Sequence, residues 1–397
     1  DPGLATAYEP GLRSTTYAFG LSPPATKAGL LAGMSMTEKQ GGSDVRANTT
    51  RAEPSREGTY RLTGHKWFTS APMNDLFLTL AQAPGGLTCF ALPRFTPNGT
   101  VNGLRLQRLK NKLGNRSNAS SEVEFIDAFA WRVGAEGKGV RTIIEMVQLT
   151  RLDCAIASAG LMRMALAQAV HHTRHRTVFQ KRLADQPMMR TLTADLALEL
   201  EGIVALVLRL CRSFDCAAQD PAEAARARLL TPAVKYWVCK SAPGFIYEAM
   251  ECLGGNGYVE EGVLARLYRE APVNAIWEGS GNVMCLDVLR ALARESDQAR
   301  AVLTSLAQSC AGLPGTAEAA AFIVAALSAA DAEAHARAAV EQLAMLAGAA
   351  ALAESGPPHI AEAFARTRVA TRRGATYGTA ALDGELSSRI LMRALPA

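Results

Sequence analysis

Apolar positions change their spacing as the chain is read from its first residue. The first thirty residues are rich in Gly, Pro and Ser and carry no long periodic segment. From Gly33 to about Trp131, short apolar runs alternate with turn residues. Tyr60-Arg61-Leu62-Thr63, Leu76-Phe77-Leu78-Thr79-Leu80 and Leu87-Thr88-Cys89-Phe90-Ala91-Leu92 are strand-like, and Gly-His, Pro-Gly-Gly and Pro-Asn-Gly punctuate the region. Ser121-Glu122-Val123-Glu124-Phe125 then alternates polar and apolar residues. Short, evenly spaced runs of this kind predict a small antiparallel sandwich or barrel. After Gly139 the texture switches to long segments rich in Ala, Leu, Arg and Met, which predict helices over 140–180, 187–218, 222–252 and 281–294. A Gly-rich break, Leu253-Gly254-Gly255-Asn256-Gly257-Tyr258, interrupts them. From about residue 297 the chain is Ala-rich, with helical runs at 300–311, 316–353 and 358–370. No repeat of fixed period is present.

This pattern predicts an α+β chain: an antiparallel β-sandwich or barrel domain packed on a helical bundle, with an extra C-terminal helical domain. The boundaries fall at 31–135, 136–294 and 295–397, with residues 1–30 set apart. At 397 residues the chain is too long for one ordinary core. A hydrophobic share of 49% with 20% charged residues is the balance of a folded protein rather than a disordered one. The longest uncharged apolar stretch, Ala319–Ala330, falls short of the roughly 20 residues a bilayer span needs, so no membrane association is expected. No signal-peptide pattern opens the sequence. The eight cysteines form no CxxC pair and no metal-ligand spacing, which suits reduced thiols and a cytoplasmic location. With 42 basic and 37 acidic residues, the net charge of +5 permits an anionic ligand without implying nucleic acid.

Three segments have chemical character. In Met34-Ser35-Met36-Thr37-Glu38-Lys39-Gln40-Gly41-Gly42-Ser43-Asp44, the paired glycines let backbone approach a ligand, and Thr37 and Ser43 offer hydroxyls. A plain polar loop would read the same. Gly64-His65-Lys66-Trp67-Phe68-Thr69-Ser70 sets an aromatic pair before two hydroxyls, suited either to a flat ring system or to a sandwich core. Ala275-Ile276-Trp277-Glu278-Gly279-Ser280-Gly281-Asn282 places a carboxylate beside a large aromatic and a flexible turn just before a helix. Glu278 there is either a shielded general base or a solvated residue in a helix-entry loop capped by Ser280 or Asn282. His171, His172 and His175 include an i,i+4 pair, but no third zinc ligand follows, so a polar helix face is favoured. Arg366, Arg368, Arg372 and Arg373 form either a phosphate-binding patch or a solvated helix end.

Taken in order, Thr37-Glu38-x-x-Gly41-Gly42-Ser43-Asp44, Gly64-His65-Lys66-Trp67-Phe68, Arg176-Thr-Val-Phe179, Leu253-Gly-Gly-Asn-Gly-Tyr258 and Trp277-Glu278-Gly279-Ser280 resemble the flavin-dependent acyl-CoA dehydrogenase superfamily over essentially the whole chain. Met36–Asp44, Lys112-Leu113-Gly114-Asn115-Arg116-Ser117-Asn118-Ala119-Ser120 and Ile276–Asn282 resemble its AidB-like branch in particular, as does the appended helical region. The resemblance implies a middle β-domain between helical layers, with residues 1–30 the remnant of an N-terminal helical domain. It also implies FAD as cofactor, an acyl-CoA as substrate, and a homotetramer built as a dimer of dimers. Met34, Met36, Thr37, Gly42 and Ser43 match family positions that contact the flavin, as do Phe68, Thr69 and Ser70. Arg176 and Phe179 match a motif that reaches FAD from a neighbouring subunit. Ile276, Trp277, Gly279, Ser280, Gly281 and Asn282 match the cofactor-touching loop around the catalytic Glu278. Some family members carry the base near Thr150-Arg151 instead; Thr150 is not a carboxylate, which favours Glu278. Glu251 stands where many dehydrogenases have Gln, although the AidB-like branch shares the acid.

Two functions follow from the resemblance. One is oxidation of a small, possibly branched acyl-CoA, with α-proton abstraction by Glu278 and hydride transfer to FAD. The other is a protective flavoprotein of the alkylation response that binds double-stranded DNA through Arg366, Arg368, Arg372 and Arg373, with little or no turnover.

Overall fold

The computed structural model describes residues 2–56, 58–370 and 384–394. It divides into two compact units, residues 1–147 and 148–397.

The first unit opens with helix α1 (Pro2–Leu12), which the Gly- and Pro-rich composition of the first thirty residues hid. Its Tyr8 is buried with Leu30, Leu76 and Ala91, and stands edge-on to Trp131. Seven strands follow: β1 (Ala32–Ser35), β2 (Arg51–Pro54), β3 (Thr59–Ser70), β4 (Leu76–Ala83), β5 (Gly86–Pro93), β6 (Leu104–Leu109) and β7 (Ser120–Val133). The order β4-β2-β3-β7-β5 closes on itself through β4–β5 pairing, so the sheet is barrel-like; β1 adds beside β4 and β6 beside β7. Most pairings are antiparallel, as the alternation predicts, but β1 and β2 run parallel to β4. Neither is joined to β4 by a hairpin, and a longer connection leaves strand direction free.

Inward residues Leu62, Phe77, Phe90, Leu92, Phe125 and Ala128 fill this core. Tyr60 packs edge-to-face on Phe90 with ring centroids 5.0 Å apart. Register shifts in β3 fall between Leu62 and Gly64 and between Lys66 and Thr69. The second breaks the period-2 alternation, leaving Lys66 and Thr69 buried while Phe68 is exposed.

Helix α2 (Gly139–His175) contains the division between the units. The second unit continues with a small hairpin, β8 (Thr177–Val178) and β9 (Lys181–Arg182), then α3 (Pro187–Cys216), α4 (Pro221–Glu251), the single turn α5 (Gly255–Tyr258), α6 (Val263–Asn274), α7 (Gly281–Arg294), α8 (Ser296–Ser309), α9 (Thr316–Ser328), α10 (Ala332–Ser355), α11 (Pro358–Phe364) and α12 (Gly384–Ala394). The Ala-rich run expected as one helix over 316–353 is two: after Ser328 the chain turns extended at Ala329, and α10 starts beyond Asp331. Helices α6 and α12 had no apolar run long enough to announce them. Leu196, Leu200 and Ile203 of α3, Trp237, Phe245 and Ile246 of α4, Val340, Leu343 and Leu346 of α10, and Phe364 share one apolar core. The helices after residue 295 therefore complete the bundle core. By length and composition α10 could cross a bilayer, yet it is mostly buried as the central core helix.

Candidate active site

In the second unit, α6 ends at Asn274 and a short loop leads to α7, whose N-cap position is Ser280. Glu278 sits in this loop with φ 58°, and Gly279 follows at φ 101°. A left-handed glutamate costs about 1–3 kcal/mol and persists only where its surroundings hold it. Here three donors do so. Thr150 Oγ1 donates to Glu278 Oε2 at 2.7 Å. Its neighbour Arg151 donates through Nε to the Glu278 carbonyl oxygen at 3.1 Å. Lys235 Nζ, from α4, donates to the Gly279 carbonyl oxygen at 2.8 Å. Arg151 is itself fixed by Asp287 of α7 at 2.6 Å, and Arg228 of α4 bonds the other oxygen of that carboxylate at 3.2 Å. A side chain at Gly279 would be strained by its backbone angle, and an added Cβ would also displace Met284 Cε, 2.6 Å away.

Opposing electrostatic effects meet at this carboxylate. Burial raises the Glu278 carboxyl above its ordinary value, and the Thr150 hydroxyl, Lys235 and Arg151 pull it back down. Burial likewise lowers the Lys235 ammonium. Glu278 is thus held by Thr150 rather than being a solvated loop residue. Ser280 occupies the N-cap position without a side-chain cap bond, and Asn282 Oδ1 accepts from Arg337 at 2.9 Å. Trp277 donates its indole N–H to Asn274 Oδ1 at 3.1 Å, and Ile276 is exposed.

In the first unit, the two other segments singled out by sequence meet. Trp67 N donates to the Thr37 carbonyl oxygen at 2.8 Å, and the Ser35 and Thr69 hydroxyls share a short hydrogen bond. Beneath them lies a buried ion pair. Glu38 Oε1 accepts from Lys66 Nζ at 2.8 Å and Thr50 Oγ1 at 2.6 Å, while Oε2 accepts from Thr49 N at 2.6 Å and Thr49 Oγ1 at 2.9 Å. Burial opposes ionisation of Glu38, but these donors overcome it and hold the carboxyl at about 2. Above the pair, Thr37, Ser43 and Ser70 make no side-chain hydrogen bond among the described residues. Gly42 leaves open a space that a Cβ would fill, 2.8 Å from Thr37 Oγ1. Phe68 lies exposed nearby, and Met34 and Met36 are half-buried. Uncommitted hydroxyls beside an exposed ring and a side-chain-free approach suit a flat heterocycle with a polar edge.

Phe179 and Gln180 form the two-residue turn of the β8–β9 hairpin, both at positive φ (49° and 63°). Such turns ordinarily use Asn-Gly. Here the tip is a phenylalanine 91% exposed, with Arg176 exposed just before the hairpin. The C-terminal arginines separate. Arg368 is buried, bonding Glu199 at 2.6 Å and Asp195, so it is a core ion-pair residue and not part of a surface phosphate patch. Arg366 is partly exposed beside Glu362 at 3.7 Å. Arg372 and Arg373 lie outside the described residues.

The sequence reading did not select Arg151, Lys235, Asp287, Glu38 or Lys66 as site residues. Lys235 left a signal: it is the one charge in the apolar run Ala233–Val238. The others are ordinary charges whose partners lie far away in sequence.

Two family models match: the acyl-CoA dehydrogenase middle domain over residues 33–128 and the acyl-CoA dehydrogenase C-terminal domain over residues 137–293. AidB of Escherichia coli (strain K12) is 56% identical over 285 residues, covering 72% of this chain and 52% of that protein. Acyl-CoA dehydrogenase family member 11 of Caenorhabditis elegans is 38% identical over 272 residues, covering 65% of this chain and 44% of that protein. The crystal structure of C. elegans ACDH-11 in complex with C11-CoA superposes with a TM-score of 0.79 at 28% identity, covering 94% of this chain and 70% of that one. The chain spans about half the length of the curated relatives it matches. With the site motifs in family order and both domain models matched, the chain belongs to the acyl-CoA dehydrogenase family and resembles its AidB-like branch.

Proposed function

We propose that the protein is an FAD-dependent dehydrogenase of a small acyl-CoA in which Glu278 removes the α-proton. The observation that carries this reading is the half-buried carboxylate in a strained loop, bonded through one oxygen to Thr150. Glu278 Oε1 accepts no hydrogen bond among the described residues, which leaves it available to receive a proton. A carboxylate whose burial lifts its proton affinity toward that of the working solution is a better base at an acidic carbon than a solvated one. FAD, when bound, supplies the acceptor for the hydride that a side chain cannot take. Thr37, Ser43 and Ser70 would bond the polar edge of the flavin ring, with Phe68 against it and Gly42 admitting the approach. A family relative solved with C11-CoA supports an acyl-CoA as the substrate class. The strained, exposed Phe179 supports a contact of this hairpin with another copy of the chain, in the homotetramer that the resemblance implies.

The test is anaerobic addition of short acyl-CoAs to the FAD-loaded protein while flavin absorbance is followed. Wild type bleaches, and Glu278→Gln retains the flavin spectrum but bleaches at least about a hundredfold more slowly, the usual worth of a general base. Wild-type bleaching by Glu278→Gln would remove the base from this residue. A preparation that takes up no flavin would remove the reading entirely.

A further inference from the structure

Lys235 is the anomaly that the proton-abstraction step leaves unused. It lies on α4 at 1% exposure, and its hydrogen-bond partner is a neutral carbonyl, Gly279 O, at 2.8 Å. A buried ammonium with a neutral acceptor and no direct carboxylate is costly, and a packed apolar side chain would fill the same space without that cost. The ammonium bonds the residue immediately after the base, from beneath the loop whose other carbonyl is held by Arg151.

We propose that Lys235 is a positioning residue for the base: it pins the Glu278-Gly279 turn through the Gly279 carbonyl and sets its charge behind that turn without occupying either oxygen of the Glu278 carboxylate. The inference rests on Glu278 being the base. A direct ion pair would tie up the oxygen needed for the substrate proton, whereas a cation set against the backbone supplies its field and leaves that oxygen open. Every charged neighbour of the carboxylate enters the balance. Arg151 from α2 adds to the effect of Lys235 but is largely committed to Asp287, which also engages Arg228; Asp153 on α2 opposes both. The thiols of Cys154 and Cys239 beside Lys235 are held neutral by burial, Cys154 being pushed up to about 12. Lys235 is therefore the cation whose removal changes the field on Glu278 with least disturbance of other ion pairs.

Two variants separate charge from anchoring. Lys235→Met removes both, and Lys235→Gln keeps a donor for the Gly279 carbonyl without the charge. The first readout needs no turnover: carbon-13 NMR titration of side-chain-labelled glutamate, with the Glu278 resonance assigned by its absence in Glu278→Gln. Loss of a nearby cation makes the carboxylate easier to protonate, so both variants titrate at higher pH than wild type, by about one pH unit. The second readout is the pH profile of flavin reduction by acyl-CoA. Its acid limb moves up by the same amount in both variants, and Lys235→Gln regains near-wild-type rate above the limb while Lys235→Met stays slower. An unmoved Glu278 titration in both variants overturns the proposal, as does a uniform rate loss at every pH with the limb in place. Reduction that survives Glu278→Gln would instead fault the assignment of the base, an outcome the titration does not share.

Discussion

Substituting Glu38 by Gln tests whether the loop carrying Thr37, Gly42 and Ser43 depends on the ion pair beneath it. The amide nitrogen of Gln cannot accept a hydrogen bond. Whichever way it turns, it meets either the Thr49 donors or those of Lys66 and Thr50, and Lys66 becomes a buried cation without its carboxylate. The magnitude follows from proton linkage. Glu38 titrates at about 2 in the folded chain against an ordinary 4.5, a difference worth about 3 kcal/mol. Removing one partner of a buried pair typically costs about 3–5 kcal/mol, so the two routes agree. Because the folded value is depressed, this contribution is fully present above about pH 4.5 and is lost as pH falls toward 2. The variant should therefore show a flatter stability curve across that window.

The assay is hydrogen exchange of peptides covering 32–53 and 59–83. About 3 kcal/mol of lost local stability corresponds to about a hundredfold loss of protection. Lys66→Met added to Glu38→Gln should recover part of it, since burial also lowers the Lys66 ammonium and the pair as a whole gains little over apolar packing. Protection within about threefold of wild type in the single variant, or strict additivity in the double, would refute the reasoning.

Three other outcomes are expected. Thr150→Val removes the hydrogen bond that favours the ionised Glu278, so the acid limb of flavin reduction moves to higher pH; a profile unchanged from wild type would show that the hydroxyl does not reach the working carboxylate. Arg368→Met takes the guanidinium away from two buried carboxylates, Asp195 and Glu199, and should lower stability by about 3–5 kcal/mol in thermal or urea unfolding. Arg366→Ala should leave stability within about 0.5 kcal/mol, as expected for an exposed pair. Equal behaviour of the two variants would contradict the burial that separates them.

Local chemistry carried much of this protein into its sequence. Short apolar runs between turn residues marked four strands, long Ala- and Leu-rich runs marked most of the helices, and the order of the Gly-Gly-Ser, Lys-Trp-Phe and Trp-Glu-Gly-Ser segments marked the family. These signals survive in one dimension because each depends on residues a few positions apart. Helix α1 and the break between α9 and α10 were not legible, since Gly and Pro content argued against the first and the Ala-rich run on both sides of Ser328 and Asp331 concealed the second. Only tertiary structure could show that Thr150, Arg151 and Lys235, from two different helices, converge on one strained turn, because nothing in their own neighbourhoods requires a partner more than forty residues away. The same holds for Arg368: its sequence places it among surface arginines, and the fold buries it against Asp195 and Glu199. A charge announces its sign in the sequence, but its role depends on the dielectric and the partners that folding supplies.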